Sequence, residues 1–244
     1  RPLLAAVVLA SCLWCGPVLA AEGDPDATFW SDGKVYFGGS GSYLAHGLVT
    51  APDGRLVVVG TYITPSVEHI WFWKAVGDGS SSTSGTCFFT PPGGATSGHA
   101  NAAAWSLGGQ LLVAGAADYG GDRLAVARFA YHDCTLDNAF DGDGYWTLDV
   151  PGGDEYVMAI AVNPFTGKIA LGGVWDSGSV RTGVVAVLSD SGVLDAGFSG
   201  NGWRSLDPSG AQFADTVAGI TFGEGGRVIA AGTSSYGADG ANRD

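Results

Sequence analysis

Short apolar runs separated by glycine-rich turns fill the chain from about residue 35 onward. Four runs share one phrase, beginning with Asp53-Gly54-Arg55-Leu56-Val57-Val58-Val59-Gly60 and Gly108-Gly109-Gln110-Leu111-Leu112-Val113-Ala114-Gly115. The phrase returns as Thr166-Gly167-Lys168-Ile169-Ala170-Leu171-Gly172-Gly173 and Gly225-Gly226-Arg227-Val228-Ile229-Ala230-Ala231-Gly232. A tight turn leads into a continuous apolar run rather than an alternating one. That pattern predicts a strand buried on both faces. The run before each turn is rich in small residues, as at Ala102-Ala103-Ala104, which lets neighbouring sheets approach closely.

The turn glycines Gly54, Gly109, Gly167 and Gly226 are separated by 55, 58 and 59 residues. A second phrase (Asp, two residues, Phe, two residues, Asp or Asn, Gly) starts at Asp26, Asp137 and Asp195 and closes on Gly33, Gly144 and Gly202. Two independent phrases with one period mark a repeat protein. The expected units are 26–80, 81–136, 137–194 and 195–244. In the third, strand-like runs fall at 145–150, 156–162, 168–173 and 183–188, between clusters of Gly, Pro, Asn and Asp. No window offers a capped amphipathic helix. The fold class expected is all-β: a β-propeller-like array of four-stranded antiparallel blades, in about four repeats of 55–59 residues.

These phrases carry a resemblance. Leu136-Asp137…Phe140…Asp143-Gly144 followed by Gly167-Lys168-Ile169…Gly172-Gly173 resembles the bacterial delta-60 repeat, and Leu124-Ala125-Val126-Ala127-Arg128-Phe129 matches that family's usual fourth-strand phrase. The resemblance runs from about Asp26 to Asp244. The second copy departs from it, with Gly85-Thr86-Cys87-Phe88 in place of the Asp-Phe phrase. It implies a secreted or surface β-propeller-like protein, and no known catalytic residues. The last copy reaches Asn242-Arg243-Asp244 where a fourth strand is due, and the chain starts without Met, so a piece shortened at both ends is expected.

Composition narrows the partners. The net charge is −13, from 11 Lys and Arg against 24 Asp and Glu. Such a surface repels phosphates and anionic lipid, so no nucleic-acid partner is expected. At the N-terminus, Arg1, the apolar stretch through Ser11, Pro17 and Val18-Leu19-Ala20 read as a signal peptide, residues 1–20, cut after Ala20. Export to the periplasm, cell surface or medium follows, with no membrane insertion once the segment is removed. An uncleaved anchor and lipid attachment at Cys12 are the alternatives.

Candidate chemistry is sparse. The four histidines, His46, His69, His99 and His132, show no metal-type spacing. By turn alignment His46 matches Ala159 and Ala218; it is expected as a polar residue satisfied near a blade edge, with a ligand facing a central channel as the alternative. Asp141-Gly142-Asp143-Gly144 resembles the start of a calcium loop, but Tyr145 and Trp146 follow where ligands are needed, and turn chemistry explains the motif. Trp71-Phe72-Trp73 is expected in a fourth strand, with Trp71 and Trp73 on one face, mainly in packing between blades, and with sugar stacking as the alternative. Trp146 and Trp203 fall at first strands. No catalytic, cofactor or metal residue is assigned.

Removal of Cys12 and Cys15 with the signal leaves Cys87 and Cys134, and export favours a disulfide between them. Aligned on its Pro-Gly-Gly turn, Cys87 matches Trp146 near the start of a first strand. Cys134 follows the fourth strand of the same unit, so the bond is expected to tie one blade's ends together. The function expected is a secreted, non-enzymatic binding or scaffold module for an unidentified protein or glycan. The rival is an extracellular glycan-acting hydrolase or lyase. It requires two carboxyl groups about 5–10 Å apart in one cleft, at least one of them desolvated.

Overall fold

The repeated turn-and-strand phrase becomes the second strand of every sheet. A computed structural model describes residues 34–37, 40–75, 85–130, 134–207 and 215–235. It holds four antiparallel sheets, each a simple meander in chain order. The first contains β1 (Ser42–Thr50), β2 (Leu56–Ile63), β3 (Glu68–Ala75) and β4 (Gly85–Phe89). The second contains β5 (Ser97–Trp105), β6 (Leu111–Asp118), β7 (Asp122–Phe129) and β8 (Tyr145–Leu148). The third contains β9 (Asp154–Val162), β10 (Ile169–Asp176), β11 (Arg181–Leu188) and β12 (Trp203–Leu206), and the fourth β13 (Asp215–Phe222) and β14 (Val228–Ser234). No α-helix occurs among the described residues; one 3-10 turn spans Glu224–Gly226.

The turn glycines of the first phrase all have positive φ: 84° at Gly54, 78° at Gly109, 73° at Gly167 and 74° at Gly226. L-residues avoid that region, so glycine sets each hairpin. The strands that follow are buried on both faces as expected: in β6, every residue from Leu111 to Ala117 is buried. β14 differs, with most of its residues exposed.

The sheets are out of step with the repeat by one strand. The run 145–150, expected as a first strand, is β8, the last strand of the second sheet, paired to β7 through Val126–Trp146. Likewise Trp203 opens the last strand of the third sheet, and Trp71 to Trp73 lie in a third strand, not a fourth. The Asp-Phe phrase causes the offset. Asp137 N–H donates to Arg128 O at 2.8 Å, Phe140 N–H to Asp137 O at 2.9 Å, and Gly144 N–H to Phe140 O at 2.6 Å. These bonds reverse the chain onto the edge of β7. The copy at Asp195 repeats them onto Val187. The phrase therefore builds a turn inside a sheet, not a link between sheets.

Successive sheets stack by one rule. The first strand of each packs across the face of the sheet before it: β5 on β1, β2 and β3, β9 on β5, β6 and β7, and β13 on β9, β10 and β11. Between the first two sheets lie Val59, Phe72, Ala100, Val113 and Phe129; between the second and third, Leu112, Val126, Phe140, Leu171 and Leu188. At the last seam Val217 fills the space left by Gly172 and Gly183: a Cβ on Gly172 would lie 2.5 Å from Val217 Cγ1. Trp71 and Trp73 do share a face, the one turned away from the second sheet. They are buried at 0% and 7% exposure beneath Phe37 and beside Tyr43, so they are packing residues rather than a sugar platform.

Cys87 and Cys134 lie at disulfide distance, with Cα atoms 5.5 Å apart. The pairing is the expected one, but its place is not. Cys87 is on β4, on the face toward the second sheet, and Cys134 follows β7 of that second sheet. The bond therefore joins two sheets instead of closing one, because β4 belongs to the sheet before.

Candidate functional site

Each first strand carries a β-bulge at the same place. The pairing register slips at His46 in β1, Asn101 in β5, Met158 in β9 and Ala218 in β13. The closing glycine of the repeated phrase is the reason. A Cβ on Gly60, Gly115, Gly173 or Gly232 would lie only 1.8, 1.9, 2.0 or 1.7 Å from the carbonyl oxygen two residues before the bulge. Only glycine lets that carbonyl press so closely, and the extra residue is then pushed out of the ladder. The bulge residue is the one first-strand position free of pairing. Its identity changes from sheet to sheet while its backbone frame does not.

His46 therefore matches Met158 and not Ala159. The third turn is one residue longer: Asn163 N–H reaches Lys168 O, where Ala51 reaches Arg55 and Ser106 reaches Gln110. Turn alignment alone displaced the match by that residue.

Three bulge side chains converge on one cavity of about 450 Å³, lined by His46, Asn101, Tyr156, Met158, Val174 and Arg181, with Thr216 beyond. His46 is exposed and Met158 is 43% exposed, large for an apolar side chain. Asn101 Nδ2 donates to Val157 O at 2.8 Å, which pins the second sheet to the third and leaves its amide oxygen for another partner. Arg181 is held by Asp176. Burial raises the Tyr156 hydroxyl above its ordinary range, and its hydrogen bond to Asp122 adds to the shift. The wall thus offers an imidazole, an amide, a phenol, a guanidinium and a hydroxyl around a thioether floor.

A second cavity, about 430 Å³, lies between the first two sheets and is lined by Glu68, Thr96, His99, Asp118 and Asp122 with the Thr64–Val67 turn. His99 Nδ1 is 3.0 Å from Glu68 Oε2. Asp118 and Asp122 face each other across the β6–β7 hairpin. Their acidities diverge. The Thr96 hydroxyl, with the amides of Gly120 and Gly121, lowers Asp118, whereas burial raises Asp122. Asp118 is nevertheless fully engaged: Oδ1 accepts from Gly120 at 2.8 Å and Gly121 at 3.0 Å, and Oδ2 from Thr96 at 2.6 Å. Asp176 does the same turn work in the third sheet, accepting from Gly178 at 2.8 Å. Asp118 is a hairpin residue first.

The remaining candidates stay apart. His69 Nδ1 pairs with Thr90 Oγ1 at 2.8 Å, and His132 lies outside the described residues. Among the described residues no group of three or more His, Cys, Asp or Glu is arranged to hold a metal. Asp143 Oδ1 accepts the Tyr145 N–H at 2.9 Å, and Asn201 accepts that of Trp203 at 3.2 Å, so both Asp/Asn-Gly pairs serve their turns. Met158, Asn101 and Tyr156 were not singled out by sequence. The signal that points to the first two is the closing glycine: each bulge residue precedes it by 14 or 15 positions.

No family model matches the chain, and no curated protein matches it at a meaningful level.

Proposed function

We propose that the protein is a non-enzymatic binding module whose stacked sheets are consecutive blades of a β-propeller-like array, of the delta-60 type. The ligand site is the cavity on which the bulges of the first three sheets converge. One observation carries the reading: an invariant backbone device presents non-equivalent side chains, His46, Asn101 and Met158, to a single concavity. A fold that only needed to pack would place small residues there, as it does with Ala218. The mixture of planar hydrogen-bonding groups with two apolar side chains, Met158 and Val174, suits a small, neutral, polar molecule such as a glycan unit. Stacked first strands support the propeller reading, and a cysteine pair at bonding distance supports export.

The test is a neutral-glycan array probed with the wild-type chain and with His46→Ala and Met158→Ala. Binding that falls at least about tenfold in each variant is expected, the loss of one or two good contacts. Absence of any bound glycan, or binding by both variants as tight as wild type, overturns the reading.

A hydrolase reading is favoured by the opposed acidities of Asp118 and Asp122 in one cavity. Against it, a carboxylate with three hydrogen bonds is a poor base. Glycan cleavage that disappears in Asp122→Asn and in Asp118→Asn would establish it.

A further inference from the structure

β9 enters the seam between the second and third sheets with Glu155 as its second residue. The side chain is 0% exposed, and neither carboxyl oxygen makes a hydrogen bond of good geometry. Its partner across the strand is Trp175, whose indole N–H is committed to Val150 O at 3.1 Å. The charged groups around it are Arg123 on β7, Asp149 after β8 and Asp154 beside it on β9. Arg123 Nη2 lies 3.3 Å from Asp149 Oδ2, so that cation is already shared. The equivalent position is Tyr43 in β1, Gly98 in β5 and the buried Asp215 in β13, so the first two sheets stack without a carboxyl group there and only the last seam repeats it.

A carboxylate held dry and unpaired is far costlier than the neutral acid. Burial accordingly pushes the Glu155 carboxyl up to about 8. The Val150 amide, short of a good hydrogen bond, and Arg123 oppose the shift, and Asp149 and Asp154 add to it. Its neighbours hold the cavity walls. Asp154 Oδ1 accepts the Asp122 N–H at 3.1 Å across the seam, and Tyr156 lines the bulge cavity while bonded to Asp122.

We propose that Glu155 is a proton-operated latch: as the neutral acid it lets the start of β9 dock on the second sheet, and loss of its proton to solvent frees Asp154 and Tyr156 and opens the cavity wall. The inference concerns the wall itself and holds whatever the cavity binds. The sign follows from linkage. The folded state holds its proton to a higher pH than the unfolded chain does. The docked seam is therefore best supported at or below the ordinary glutamate range and loses support as pH rises toward 8.

The experiment is infrared difference spectroscopy of the full chain between about pH 6 and about pH 9.5, a window in which ordinary carboxyl groups are already ionised. Alongside it, hydrogen exchange over residues 149–156 is followed after correction for the intrinsic rate. The wild type is expected to lose one protonated-carboxyl band with a midpoint near 8, together with exchange protection in that segment. Glu155→Gln is expected to show neither change. No carboxyl band titrating in that window, or the same loss of protection in Glu155→Gln, overturns the latch. Should the variant fail to fold, a wild-type carboxyl band that titrates without loss of exchange protection over residues 149–156 overturns the latch.

Discussion

Gly173 lies against the carbonyl of Tyr156 so closely that a Cβ built on it would sit 2.0 Å from the oxygen. That contact forces the bulge at Met158. Gly173→Ala should destabilise the chain by about 2–3 kcal/mol, because the blocking atom is backbone and cannot rotate away. Gly219→Ala is the control, since nothing lies within 4 Å of a Cβ there. It should change stability by less than about 1 kcal/mol. Urea unfolding with unchanged slope checks both. Equal losses would show that the closing glycine does not set the bulge.

The Cys87–Cys134 bond closes a 47-residue separation and ties two sheets. Cys87→Ser with Cys134→Ser should cost about 2–4 kcal/mol under oxidising conditions. Under reducing conditions wild type and variant should melt together. Mass measurement of the non-reduced, alkylated protein checks the bond directly: two alkylated cysteines would disprove it.

Arg128 is 6% exposed at its side chain and serves three partners. Nε lies 2.9 Å from Asp137 Oδ2, Nη1 donates to Asp190 O at 2.5 Å, and the guanidinium stands 5.0 Å from the Phe140 ring centre. It fastens the Asp-Phe turn of the second sheet to the β11–β12 connection of the third. Arg128→Ala should cost about 3 kcal/mol, and Arg128→Lys should recover only part of it, since an ammonium cannot span all three contacts. Thermal unfolding of the two variants checks the order.

Asp118 provides a pH test. Its carboxyl is held below the usual range first by the Thr96 hydroxyl. A depressed pKa stabilises the fold above the unfolded-state value and is lost as pH falls through the folded one. Thr96→Val should raise the Asp118 titration midpoint in NMR. It should also lower stability at neutral pH by about 1 kcal/mol, with a shallower acid limb. An unmoved midpoint would mean that the Gly120 and Gly121 amides alone hold the carboxylate.

The strands and their burial were legible because they rest on local rules. Continuous apolar runs such as Leu111–Ala114 sit in doubly covered strands, and Asp or Asn before Gly marks tight turns. The cysteine pair was legible from count, while the repeat put both partners in one sheet where they belong to two. What escaped was non-local. Nothing in the sequence of Asp137 to Gly144 says whether its turn returns to the same sheet or leads to the next; that is decided by the bonds to Arg128 O and Phe140 O. The bulges escaped because they depend on a close approach between Gly and a carbonyl some sixteen positions earlier in the chain. Glu155 escaped too, since an acid at a strand start normally reads as a solvated residue.

The one-strand offset between repeat and sheet bears on how such a chain grows. A duplicated segment that begins at the Asp-Phe phrase brings the outer strand of the sheet already present and three strands of a new one. Each added segment is thereby stitched to its predecessor by a hydrogen-bonded ladder, as β8 is to β7 and β12 to β11. The sequence repeat and the hydrogen-bonded sheet are therefore out of step at both complete copies of the phrase among the described residues. Excising one segment at its own boundaries would leave its neighbour without an edge strand, whereas a cut at Pro151-Gly152-Gly153 would fall between intact sheets.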